Sequence, residues 1–134
     1  GSEMFGTLIS INCANSKKID LIYLPKKKIM ITRENIKKIK VRPKKKNDLV
    51  LLSTKCLARK YKGSEYRMFG SCAFSFYKFI IGEARQFIYC DGAKVWDCFT
   101  GLRLVNKINC NVIIKNKQYM LQPKYKTEFS LRWA

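Results

Sequence analysis

Apolar residues along the chain fall into short runs broken by lysine, proline and glycine, the pattern of successive strands rather than long helices. Phe5–Cys13 alternates loosely around Leu8, Ile9 and Ile11, and Ile19–Leu24 and Ile29–Thr32 form two further apolar segments. Pro25-Lys26-Lys27-Lys28 joins these two, and a four-residue link led by proline suits a turn. Thr32 is placed to cap a short helical stretch carrying Ile36 and Ile39, while Val41 continues a period of two from Ile39, so helix and strand both fit there. Arg42–Asp48 reads as a loop on either assignment, Leu49–Ser53 as a continuous apolar strand, and Tyr61–Glu65, with its Gly63-Ser64, as a break.

The second half is more apolar. Met68–Ile81 contains Phe69, Phe74, Phe76, Tyr77, Phe79, Ile80 and Ile81, and β-preferring residues on both parities predict one strand buried on both faces, or two strands. Gln86–Cys90 and Ala93–Phe99 flank Asp91-Gly92, whose residues tolerate the positive φ of a type I′ turn, so a hairpin is expected. Leu102–Val105, Cys110–Ile114 and Gln118–Leu121 follow, with Lys115-Asn116-Lys117 linking the last two and Pro123 ending them. Thr127–Trp133 sets Phe129, Leu131 and Trp133 against Glu128, Ser130 and Arg132. The expected fold is mainly β: a single antiparallel barrel or sandwich over residues 4–134, with at most one or two short helices and Phe76, Trp96 and Trp133 in its core. Closure or face-to-face packing would remove the exposed edges that many short strands create. Gly1–Glu3 read as a tag remnant before Met4.

Charge changes this picture most. The 134 residues carry 28 Lys+Arg against 9 Asp+Glu, a net +19. Residues 17–62 alone hold 17 basic and 3 acidic side chains, whereas residues 63–105 hold 5 and 4. A concentrated positive field attracts polyanions. Lys26, Lys27 and Lys28 form one cluster, and Lys37, Lys38 and Lys40 a second. Arg42, Lys44, Lys45 and Lys46 form a third, and Arg59, Lys60 and Lys62 a fourth. All are candidate partner-binding residues, since each contact to a phosphate releases condensed counterions. Nucleic acid is the leading partner, with RNA and DNA undivided; an acidic protein segment and anionic phospholipid, bound by a PH-like domain, are the alternatives. Tyr23, Tyr61, Tyr66, Tyr119 and Tyr125 could stack on bases if they face outward. Lysine outnumbers arginine 21 to 7, which an A/T-rich genome would also produce, but that origin does not explain why the excess sits in one third of the chain.

Chemistry finds little support. Without histidine, a serine or cysteine triad lacks its usual base. The acids form no paired metal-binding motif and no phosphate-cradling glycine loop is present. Asp91 and Asp97 read as a turn former and a solvated strand residue. Cys13, Cys56, Cys72, Cys90, Cys98 and Cys110 show no C-x-x-C spacing, and most lie inside apolar runs, so reduced, buried thiols are expected rather than a zinc site. With no signal peptide and no apolar run of about 18 residues, the reading is an intracellular, non-catalytic module of nucleus or cytoplasm, needing no cofactor and no metal.

One stretch carries a family resemblance. Phe87-Ile-Tyr-Cys-Asp-Gly-Ala-Lys-Val95, with Phe69-Gly-Ser-Cys72 upstream and Gln118-Tyr119-Met-Leu121 downstream, resembles the polo box of the centriolar polo-like kinases across residues 67–121. The closing helix of that module is missing, because Pro123–Ala134 reads as extended, and the spacing after Val95 is several residues too long. The resemblance implies a β-sheet module that docks acidic protein segments through basic residues at a centrosome-like structure.

Overall fold

The computed structural model describes residues 3–39, 49–53, 56, 65–90, 92–115 and 127–134. Alternation in the first third gives three strands: Thr7–Asn12 (β1), Lys18–Leu24 (β2) and Ile29–Thr32 (β3), antiparallel in the order β1-β2-β3. The proline link between β2 and β3 is a 3-10 turn over Pro25–Lys27, closed by Lys28 at φ 52°. Thr32 and Asn35 then cap one another: Asn35 N donates to Thr32 Oγ1 at 3.2 Å and Thr32 N to Asn35 Oδ1 at 2.8 Å. What they start is a single 3-10 turn, Ile36–Lys38, which buries Ile36.

The other strands, Val50–Leu52 (β4), Tyr66–Arg67 (β5), Gln86–Tyr89 (β6), Cys110–Lys115 (β7) and Glu128–Trp133 (β8), form a second sheet in the order β5-β4-β6-β8-β7. Here β4 runs parallel to both β5 and β6, and the pairings of β8 are antiparallel. The chain is therefore mainly β, as its patterning indicates, but both sheets are open and the second is mixed. No antiparallel barrel closes, because two helices occupy the layer against which the sheets pack.

Those helices, Cys72–Ile80 (α1) and Val95–Val105 (α2), replace segments whose composition predicts strands. Ser71 caps α1 by accepting the Phe74 N–H at 3.3 Å, and Gly82, at φ 78°, closes it by donating to Phe79 O at 2.9 Å. A start and a stop at helical spacing outweigh the β preference of the aromatics between them. Side chains all round α1 are buried, as expected of a helix inside a core. In α2 the Asp91-Gly92 hairpin does not form: β6 pairs with β8 instead, and Gly92 N donates to Thr127 O. Residue Asp91 lies outside the described residues. Helical geometry turns Trp96 out to 68% exposure, so it is not a core residue, whereas Phe76 is fully buried and Trp133 is half-buried with its indole N–H on Phe79 O.

The helices meet where α2 has no side chain. A Cβ on Gly101 would fall 2.3 Å from the ring of Phe76. That ring in turn packs at 5.3 Å from Phe87 and 5.6 Å from Phe129. On the other side α2 is tied to the first sheet by a buried carboxylate. Asp20 Oδ2 takes Arg33 Nη1 at 2.9 Å and Arg103 Nε at 3.1 Å, while Ser10 Oγ donates to Oδ1. Ser10 also lies 2.9 Å from Thr100 Oγ1, and Arg103 Nη1 donates to Asn12 Oδ1 at 3.1 Å.

The three-stranded sheet is apolar on both faces. Leu8, Ile22, Leu24 and Ile31 point to the helices, and the opposite face pairs Ile9 with Leu21, Ile11 with Ile19 and Tyr23 with Met30. Ile9, Ile11, Tyr23 and Met30 are exposed there.

Two substitutions test this packing by thermal or urea unfolding. Gly101→Ala should destabilise the fold by about 1–3 kcal/mol, because the overpacked Phe76 ring has no room to move; the gain of ~1 kcal/mol in helix propensity should not offset it. Asp20→Ala leaves two guanidinium groups facing a buried gap and should cost about 3–5 kcal/mol; an unfolding midpoint within error of the parent would show that the pair does not hold the sheet.

Candidate functional site

Strands β4 and β6 are parallel neighbours, and the chain returns from one to the other through β5 and α1. In such a unit the carboxyl ends of the strands and the amino ends of the following helices face the same space, where ligands bind. That space is a cavity of about 140 Å³. Leu52 and Ser53 line it from the end of β4, Phe87 and Tyr89 from β6, Gly70, Ser71, Cys72 and Ser75 from the start of α1, and Asp97 from the first turn of α2. Gly70 sits at φ 70° with nothing within 4 Å of the position a Cβ would take, so backbone conformation rather than space demands glycine. Ser71 then takes both capping duties: its Oγ receives Phe74 N–H, and its carbonyl receives Ser75 N–H at 3.0 Å and Ser75 Oγ–H at 2.9 Å.

The electrostatics of this cavity disfavour negative charge on its own acids. Burial, then the neighbouring Cys98 and Asp97, push the Cys72 thiol well up. Burial carries the Tyr89 hydroxyl up to about 12, with Cys72, Asp97 and Cys98 adding to it. Asp97 is raised as well, mainly by burial and partly offset by Lys94. No lysine or arginine side chain lines the cavity among the described residues. What remains to meet an anion is the positive end of α1 and of α2 together with the serine hydroxyls. Asp97, desolvated yet ionisable, is suited to hold a proton or to face a cation.

The lysines lie elsewhere. Lys26 and Lys28 are exposed and Lys27 half-buried in the turn after β2, and Lys37 and Lys38 are exposed on the second 3-10 turn. None of these lines the cavity, and Lys38 instead borders a separate hollow walled by Ile29, Ile31, Ile39, Tyr77 and Ile81. Lys40, Arg42, Lys44, Lys45, Lys46, Arg59, Lys60 and Lys62 lie outside the described residues, as do Tyr61, Tyr119 and Tyr125. Tyr23 and Tyr66 are exposed. The thiols are not all free: Cys56 and Cys90 form a disulfide, Cys13, Cys72 and Cys110 are outside any disulfide, and Cys98 Sγ donates to Lys94 O at 3.0 Å. No group of three or more potential metal ligands occurs among the described residues, and no described helix is long and apolar enough to cross a membrane.

Sequence reasoning missed Gly70, Ser71, Ser75 and Asp97 as site residues. The signal available was Ser71 placed before an apolar run that ends at Gly82, which makes Ser71 a cap; the helix carrying Asp97 starts at Lys94 with no side-chain cap to announce it.

No protein-family model matches the chain, and no curated protein sequence matches it either. Solved structures do. Inositol monophosphatase II from Staphylococcus aureus MSSA476 superposes with a TM-score of 0.65 at 12% identity, covering 97% of this chain and 56% of that one. The extragenic suppressor protein suhB from Bartonella henselae gives 0.61 at 17% identity over 94% and 58%. An IMPase/NADP phosphatase complexed with Mg²⁺ and phosphate gives 0.59 at 12% identity over 93% and 53%. The chain thus spans a little over half the length of these neighbours. This likeness overturns the polo-box resemblance: Phe69–Cys72 leads into a helix rather than an aromatic strand, and Val95 begins another. It equally overturns the expectation of a non-catalytic, nucleic-acid-binding module, because the fold that the chain shares along almost its whole length is that of phosphatase enzymes.

Proposed function

We propose that the chain forms the ester-binding side of a phosphatase-like site, with the cavity between the starts of α1 and α2 receiving a phosphorylated polyol or nucleotide. The supporting observation is the position of that cavity. It lies at the carboxyl ends of parallel β4 and β6, with two helix starts directed at it, in a fold whose solved members include inositol monophosphatases bound to inositol monophosphate and to 2'AMP. In this reading the first turn of α1 and the hydroxyls of Ser53 and Ser71 hold the phosphoryl oxygens, Phe87 and Tyr89 shield the ester from water, and Asp97 carries or accepts a proton at its carboxyl.

One neighbour holds Mg²⁺ with phosphate. Magnesium is usually held by one or two carboxylates together with phosphate oxygens and water. Asp97 is the one carboxylate lining this cavity among the described residues, so these residues do not by themselves compose a magnesium site, and no step is assigned to the metal here.

Isothermal titration with inositol monophosphate, with unphosphorylated inositol as the control, tests the reading. The phosphorylated ligand should bind, and Ser71→Ala and Asp97→Asn should each weaken it about tenfold, the scale of one hydrogen bond to a charged group. If those variants bind normally while Lys26–Lys28 replaced by serine does not, the ligand sits on the lysine turn and the cavity is not its site.

Asp97 also gives a pH dependence. Because burial raises its carboxyl above the ordinary 3.8, the folded chain binds that proton more tightly than the unfolded chain does. Between the ordinary and the raised value the native state carries the extra proton, so stability falls as pH rises through that window. Melting curves between about pH 4 and pH 7 should therefore be flatter for Asp97→Asn than for the parent; identical slopes would mean a well-solvated carboxylate.

A further inference from the structure

The far wall of the cavity is joined to the disulfide through one serine. Ser53 donates its N–H to Ile88 O at 3.0 Å, its carbonyl accepts Cys56 N–H at 3.0 Å, and its hydroxyl accepts Cys90 N–H at 3.0 Å. The same hydroxyl lies 3.3 Å from Cys56 Sγ. Ser53 and Tyr89, which immediately precedes Cys90, both line the cavity. The bridge closes a loop across a sequence separation of 34, and that loop contains Gly70, Ser71, Cys72 and Ser75. Locking Cys56 to Cys90 therefore fixes the ends of β4 and β6 against each other and restrains the segment that carries the opposite lip.

The two sulfurs differ in access. Cys56 is 2% exposed. Cys90 is half-buried and borders a second hollow of about 130 Å³, lined also by Ile88, Tyr89, Ile113, Phe129 and Ser130. A small thiol can reach Cys90 from there.

From this geometry we propose that Cys56–Cys90 is a thiol-responsive clamp on the ligand cavity; the regulatory part of the proposal rests on the ester-binding reading above. A glutathione-type thiolate attacks Cys90 Sγ, forming a mixed disulfide and releasing Cys56 as a thiolate that takes up a proton. A second thiol attacks the mixed disulfide at the glutathione sulfur, leaving Cys90 as a thiol. Two small thiols are oxidised to one small disulfide as the protein bridge is reduced to two thiols, and glutathione disulfide reverses both steps. Reduction frees Ser53 and Tyr89 from their fixed spacing, and the cavity loses its preorganised wall.

The test equilibrates the full chain in glutathione buffers of graded ratio, counts bridged molecules by alkylation and mass spectrometry, and measures inositol monophosphate affinity and amide hydrogen exchange on the same samples. Affinity should fall about fivefold to tenfold on reduction and return on reoxidation, following the fraction bridged. Exchange at Ser53, Tyr89 and Ser71 should quicken together, and the melting temperature should drop by roughly 10 °C. The double variant Cys56→Ser, Cys90→Ser should bind like the reduced parent and ignore the buffer. Free thiols at every ratio, or equal affinity and equal exchange in bridged and reduced protein, would overturn the clamp. If the bridged protein binds no inositol monophosphate, the ester-binding reading fails instead, and the exchange data still decide whether the bridge controls the cavity wall.

Discussion

The arrangement depends on one buried carboxylate. Asp20 sits in the middle of β2, facing the helices and fully enclosed, and it binds Arg33 from beyond β3 and Arg103 from the last turns of α2. A lone ion in that position would be expelled at a cost of several kcal/mol, so the charge is tolerable only with its partners in place. The pairing fixes more than a contact. Arg103 and Asp97 lie on the same helix, so anchoring the end of α2 to the first sheet sets where its start points, and its start is at the cavity. Gly101 then lets α1 approach α2 along the Phe76 ring, which brings the second helix start to the same place.

Much of the β structure was legible because strands of β1, β2, β3, β7 and β8 alternate or run apolar at strand length. β3 and β8 fall almost on the segments expected. The helices were not legible from composition, for a physical reason. Phe74, Phe76, Tyr77 and Phe79 favour pleated surfaces in isolation, but a helix buried on all sides gives aromatic side chains the same apolar surroundings. Local capping at Ser71 and Gly82 decides between the two, and capping is a matter of two residues rather than of a run. The parallel pairing of β4 with β6 owes its geometry to that same helix, since a parallel return requires a crossover.

The site was illegible for a different reason. Lysine clusters dominate the sequence, yet the cavity is lined by neutral hydroxyls, aromatics and one acid. Charge counted along a chain reports long-range attraction; a binding cavity is made by which backbone ends converge, and that convergence appears only with topology. Asp97 illustrates this. As a residue of an extended strand it would be one more solvated acid, whereas in the first turn of α2 it lines the same cavity as Tyr89 of β6.

The doubly apolar first sheet has a consequence for how copies of this chain behave together. Ile9, Ile11, Leu21, Tyr23 and Met30 make a face with the chemistry of an interior and no described layer over it, beside β1, which has a partner on one side alone in its sheet. Such a surface invites stacking between molecules. The net charge of +19 opposes that stacking through mutual repulsion, which acts over about 10 Å in 0.1 M salt and only about 3 Å in 1 M. The lysines thus supply colloidal stability that ionic strength removes, so solubility and salt are coupled in the direction opposite to simple salting-in.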